Sequence, residues 1–181
     1  MIEIRNTPFA GLLVLCTDCF ADARGGFQKM FNYDFFVENG LASVFKEFYF
    51  STNRKDVIRG MHFQTPPCDH EKLVYVSSGS IMDVVVDIRR GSSTYGKCFS
   101  ICLSAEKGEY LYIPKGYAHG FKSLEDNTVV NYAQTTCYDR DHDCGIDAMS
   151  IGFDWETAAP VRSGRDLSFV KLQDFVSPFQ I

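Results

Sequence analysis

The sequence predicts an all-β barrel or sandwich with a few short helices, built as one domain over residues 1–181. Short apolar or alternating runs recur along the chain with Gly, Pro, Asn and Asp between them, which is the rhythm of strands joined by turns. Aromatic residues make up 14% of the chain, with 16 Phe and 9 Tyr against a single Trp, and flat rings pack well on pleated surfaces. No internal repeat, Gly/Ser-rich linker or charge block marks a boundary, and 181 residues suit one full-sized domain.

Taken in order, strands are expected over Leu12–Cys16, Val44–Phe50, Lys72–Ser77, Ile81–Ile88, Cys98–Leu103, Tyr110–Ile113 and Val129–Ala133. Asn32–Asn39, ahead of Gly40, reads as a short helix, and a second is expected after Pro160. Ser78-Gly79 separates two β-patterned runs and reads as a two-residue hairpin loop. That register sets Lys72 opposite Val85 and Val74 opposite Asp83. Alternation then places Lys72, Val74 and Val76 on one face with Asp83 and Val85. Lys72 and Asp83 become diagonal neighbours within salt-bridge reach, on a cavity wall or on an exposed face alike.

Composition removes several function classes. Hydrophobic residues at 45% and charged residues at 23% describe an ordinary globular chain, not a disordered or fibrous one. A net charge of −5 gives no broad basic footprint, so no nucleic-acid partner is expected. A local basic cleft for a small phosphate ligand remains compatible with that balance. No apolar run approaches the ~18–20 residues of a membrane span. Met1-Ile2-Glu3-Ile4-Arg5 lacks a basic-then-apolar signal pattern, and the expected compartment is the cytoplasm. The seven cysteines cannot all pair within one chain, so reduced thiols are expected. Cys16-Thr17-Asp18-Cys19 lacks a second pair at zinc-ribbon spacing, Cys137 and Cys144 being wrongly spaced.

Two segments carry polar residues in unusual places. Val57-Ile58-Arg59-Gly60-Met61-His62-Phe63-Gln64 sets an Arg and a His in a strand-like run, where a satisfied core histidine is the commoner meaning. Ile113-Pro114-Lys115-Gly116-Tyr117-Ala118-His119-Gly120-Phe121 reads as a strand end, a turn and a His re-entering the sheet. Gly108, Pro114, Gly116 and His119 fit the second motif of the cupins, small β-barrels of the jelly-roll type. Lys72 stands where their first motif carries a metal-binding Glu, with six residues between it and Gly79, and no His-x-His precedes it. A cation in a ligand position disfavours a bound ion, so a metal-free cavity is expected.

The chain resembles the dTDP-4-dehydrorhamnose 3,5-epimerase family, metal-free cupins that invert stereocentres in 4-keto-6-deoxy sugar nucleotides. The resemblance is carried by Phe20-Ala21-Asp22-Ala23-Arg24-Gly25, Arg59–Gln64, Lys72-Leu73-Val74, Asp83–Arg89, Tyr95-Gly96-Lys97, Pro114–Phe121, Asn131-Tyr132 and Ser163-Gly164-Arg165-Asp166, in the family's order over most of the chain. It implies a cupin-type jelly-roll β-barrel with no cofactor and a homodimeric assembly. It also implies His62 as base, Asp166 as its supporting carboxylate, Lys72 at the ketone oxygen with Asp83 as partner, and Tyr132 as acid on the opposite face. Arg59, His119 and Arg24 match positions near the diphosphate, with Arg24 serving the neighbouring subunit. Tyr138 matches an aromatic lining the cleft. The expected ligand is a sugar nucleotide, dTDP-linked, and the related outcomes are a 3,4-ketoisomerase or a non-catalytic sugar-nucleotide-binding cupin. Three places depart from the family. Its Gln-x-Asn is Glu47-Phe48-Tyr49 here, its Glu after the Arg-Gly motif is Lys29, and its Trp-Asn-Asp is Ala148-Met149-Ser150.

Overall fold

The computed structural model describes residues 1–181. The strands are β1 (Ile2–Asn6), β2 (Leu13–Thr17), β3 (Phe20–Asp22), β4 (Gly25–Phe27), β5 (Glu47–Asn53), β6 (Ile58–Gln64) and β7 (Lys72–Ser78). They continue with β8 (Ser80–Asp87), β9 (Cys98–Ser104), β10 (Glu109–Ile113), β11 (Tyr117–Ser123), β12 (Thr128–Gln134) and β13 (Asp143–Gly145). Two short helices, α1 (Tyr33–Glu38) and α2 (Gly164–Leu167), complete the regular structure with 3₁₀ turns at Ala148–Ser150 and Leu172–Asp174. No helix is long and apolar enough to cross a membrane.

Two antiparallel sheets face one another. One has six strands in the order β1-β2-β10-β7-β12-β5, the other five in the order β13-β6-β11-β8-β9, and β3 and β4 form a separate hairpin. This is a jelly-roll architecture in which the chain repeatedly changes sheet, as between β6 and β7, β7 and β8, and β9 and β10. The expected hairpin at Ser78-Gly79 is therefore a crossing. β7 pairs with β10 and β12, whereas β8 pairs with β11 and β9. Lys72 does not oppose Val85 within a ladder, because the chain changes sheet between Ser78 and Ser80 and facing sheets stand about 10 Å apart rather than the ~5 Å of paired strands. The shared face survives: Val74, Val76 and Val85 pack together inside the barrel, with Lys72 and Asp83 in step with them.

Alternation explains which strands were legible. In β12, Val130 and Tyr132 point into the barrel while Asn131 points out and donates to Ser77 Oγ at 2.8 Å. In β8, Ile81 and Val85 point in, whereas Val84 and Val86 pack under Ile146, Ala148, Ile151, Trp155 and Phe179 of the C-terminal segment. Both faces of β8 are covered, so Ile81–Ile88 reads as a nearly continuous apolar run. A third layer closes the outer face of the six-stranded sheet, where Phe36 of α1 packs with Ile2, Leu15, Leu73, Tyr110, Tyr112 and Ala133. Burying a side chain of that size stabilises the fold by about 2–3 kcal/mol. The helix itself begins at Asn32, whose side chain accepts from the Phe35 amide at 2.9 Å, and ends at Asn39.

Candidate active site

One end of the barrel opens into a cavity of about 380 Å³, the size of a small-molecule site. Its position follows from β6. Arg59 is registered with Phe121 and His62 with His119, so β6 spends three residues where β11 spends two. Strict alternation would send Arg59 and His62 to opposite faces, and the extra residue brings both to the cavity. The irregularity sits at Gly60, with φ of 124° and a backbone so close to β11 that a Cβ would stand 2.6 Å from Gly120 Cα and 2.8 Å from the His119 carbonyl oxygen. Only glycine meets both demands.

The same residue braces the partner of His62. Gly60 N–H donates to Asp166 Oδ2 at 3.1 Å, and Asp166 Oδ1 lies 2.8 Å from His62 Nε2. Ser163 caps α2 by accepting from the Asp166 amide at 3.0 Å, which fixes the carboxylate behind the imidazole. Burial opposes ionisation of Asp166, but His62, the Gly60 amide and Ser163 together outweigh it and hold the carboxyl below its usual range. Asp166 is 4% exposed at its side chain and His62 30%, so the carboxylate is sealed while the ring meets the cavity. Phe169 packs against the His62 ring edge to face, with centroids 5.7 Å apart.

Tyr132 faces His62 from the other sheet. It is paired with Tyr49 across the β5–β12 ladder, and the two rings stack at 4.6 Å with planes 15° apart. Ser51 Oγ lies 3.5 Å from its hydroxyl, and burial pushes its phenol far upward, so it holds its proton. Lys72, also on this sheet, is buried; desolvation lowers its ammonium to about 8, opposed by Asp83 and Asp143. Asp83 does not pair with it directly. Asp83 Oδ2 instead lies 2.8 Å from His119 Nε2, a diagonal neighbour on the β8–β11 ladder. His119 is buried in the barrel rather than at its mouth, and burial, offset in part by Asp83, keeps its imidazole below the usual range.

Cations collect toward the entrance. Arg59 Nε donates to Asn53 Oδ1 at 2.7 Å, which orients the guanidinium, and Arg165 donates to Asp143 at 2.5 Å. Tyr138 is exposed there, its amide donating to Glu47 Oε2 at 2.6 Å. Six of the expected residues, Arg59, His62, Lys72, His119, Tyr132 and Tyr138, line the cavity, while Asp166 and Asp83 support it from behind. Arg24 does not join them within one chain. It lies on the β3–β4 hairpin, fully exposed and bonded to Asp22. Glu47, Tyr49, His70, Gln134 and Arg165 also line the cavity, and of these Gln134 and His70 were legible by extending alternation two residues from Tyr132 and Lys72. The one cluster of metal-ligating types, Cys68, Asp139 and His142, lies outside this cavity, and Asp139 is already engaged by the ring and amide of His142.

The profile of the dTDP-4-dehydrorhamnose 3,5-epimerases matches residues 6–174. The chain belongs to the dTDP-4-dehydrorhamnose 3,5-epimerase family of isomerases. Among the family's curated members, the dTDP-4-dehydrorhamnose 3,5-epimerase of Methanothermobacter thermautotrophicus is 40% identical over 86% of this chain and 85% of its own. The Escherichia coli epimerase is 35% identical over 97% of both chains. Among solved family structures, the dTDP-6-deoxy-D-glucose-3,5-epimerase of Legionella pneumophila, in complex with dTDP-4-keto-L-rhamnose, superposes with a TM-score of 0.92. It is 31% identical over 97% of this chain and 95% of that one. The epimerase family thus accounts for the fold and nearly the whole length.

Proposed function

We propose that the chain epimerises a 4-keto-6-deoxy sugar nucleotide, dTDP-linked, at C3 or at both C3 and C5, for deoxysugar biosynthesis. The observation that carries this reading is the placement of His62 and Tyr132 on the two facing sheets, with Lys72 in the same cavity. His62 removes the proton beside the ketone as the C–H electron pair moves toward the C4 oxygen. Asp166 holds the ring's orientation and balances the imidazolium. Lys72 meets the negative charge that grows on that oxygen, where a poorly solvated cation acts strongly. Tyr132 returns a proton to the other face of the carbon, and that change of face is the inversion. Arg59 and Arg165 at the mouth suit the diphosphate, a fork of donors meeting phosphate oxygens. Two copies assemble so that the exposed β3–β4 hairpin delivers Arg24 to the neighbour's site.

The test is incubation with dTDP-4-keto-6-deoxyglucose in deuterated water, followed by NMR. Loss of both the C3 and C5 proton signals is the expected signature of double epimerisation, and loss of C3 alone that of a single-centre enzyme. His62→Asn lowers exchange by orders of magnitude with modest change in stability, and Asp166→Asn lowers it less. A product with its carbonyl moved to C3 identifies a ketoisomerase instead. Tight binding with no exchange identifies a binding protein.

A further inference from the structure

The cavity contains a buried imidazole to which the reaction scheme gives no part. His70 precedes β7 by two residues, lines the cavity with Lys72 and His119, and is only 8% exposed. Its Nδ1 is enclosed and has no hydrogen-bond partner. A buried polar atom left unpaired costs stability, so packing alone gives no reason for a histidine here. The enclosed nitrogen offers a hydrogen no acceptor, which favours the tautomer with its proton on Nε2, the nitrogen that is not enclosed. Burial, and secondarily the charges of Lys72, Lys115 and His119, keep the ring neutral.

We propose that His70 is a substrate-contact residue that presents a neutral Nε2–H to the ketone oxygen met by Lys72. This rests on the epimerase reading. As His62 takes the carbon proton, negative charge grows on the C4 oxygen; His70 donates a hydrogen bond to it and keeps its own proton. When Tyr132 returns a proton to carbon, the ketone reforms and the bond weakens. A neutral imidazole fits this work because it stabilises the oxyanion without competing to protonate it. The donor is paired with a cation, so the oxygen is held by one directional contact and one charge.

Deuterium exchange on dTDP-4-keto-6-deoxyglucose, with dTDP affinity measured beside it, tests the assignment. His70→Leu is expected to lower kcat by about 100-fold, leave dTDP affinity within about twofold because the nucleotide end is untouched, and leave Tm equal or higher because an unpaired atom is removed. His70→Gln, which keeps an N–H donor, is expected to recover at least about tenfold of that loss. In the unmodified protein, 15N NMR is expected to show His70 as the neutral Nε2–H tautomer, with a resonance that moves on adding the keto sugar nucleotide and not on adding dTDP. That readout holds whether or not a variant folds. A kcat for His70→Leu within about threefold of wild type, or an Nε2 resonance unmoved by the keto sugar while the wild type exchanges protons, overturns the proposal alone. Absence of exchange by the wild type overturns the epimerase reading and this proposal with it.

Discussion

At the scale of single residues, the site holds charges where burial works against them, and Lys72 shows the consequence most directly. An amine inside the barrel gives up its proton more readily than in water, with its ammonium lowered to about 8 from the ordinary 10.5. The proposed mechanism uses the side chain as a cation, so turnover is expected to fall as pH rises through about 8. Stability runs the other way. Between about 8 and 10.5 the unfolded chain holds the lysine proton and the folded chain has released it, so unfolding binds a proton and stability rises with pH. Full traversal of that window is worth on the order of 3 kcal/mol, burial being the main cause. Lys72→Met is expected to flatten this part of the stability curve while removing activity. Denaturant unfolding from pH 7 to 10.5, beside exchange rates over the same range, measures both slopes. Parallel movement of the two curves would show that another group governs the pH response.

At the scale of elements, the bulge in β6 is the feature on which the site depends most. Gly60→Ala is expected to cost about 3 kcal/mol, because a Cβ must stand at positive φ and also displace the backbone of β11. In a chain of this size that lowers Tm by about 10 °C. The folded remainder is expected to exchange substrate protons poorly, since the Gly60 amide and the Asp166 carboxylate move apart. Unchanged Tm and turnover would remove the bulge from the argument. This element also marks where the sequence ceased to be readable. Val129–Ala133 announced a strand because it is a short apolar run rich in β-branched and aromatic residues, with Asn131 its only polar side chain apart from the Tyr132 hydroxyl. The helix between Asn32 and Asn39 was readable because both caps are asparagines. The run Tyr117–Ser123 shows no alternation, because every residue in it is buried. Ser78-Gly79 looks like a hairpin because local turn chemistry does not specify which sheet receives the next strand. Asp166 stands 104 residues from His62, and only the family resemblance joined them before the barrel brought them to 2.8 Å.

At the scale of the whole molecule, the exposed aromatics argue for a second copy. Phe48 and Phe50 lie 70% and 68% exposed on the edge strand β5, with Val44 beside them, and Phe20 and Phe27 flank Arg24 on the β3–β4 hairpin. An apolar edge strand left in water invites pairing, and natural edges are normally covered or charged. Within one chain Arg24 has only Asp22 as a partner and lies away from the cavity. Light scattering is expected to give twice the chain mass, and Phe48→Glu with Phe50→Glu to shift it toward the monomer. If Arg24 acts across the interface, Arg24→Ala weakens substrate binding while sparing the proton-transfer groups. Mixing that variant with His62→Asn is then expected to regain activity. In the mixed dimer, the subunit with an intact His62 receives Arg24 from its partner, so one site of the two is whole. Activity in the mixture no greater than the average of the two variants alone would show that Arg24 acts within its own chain or has no part in binding.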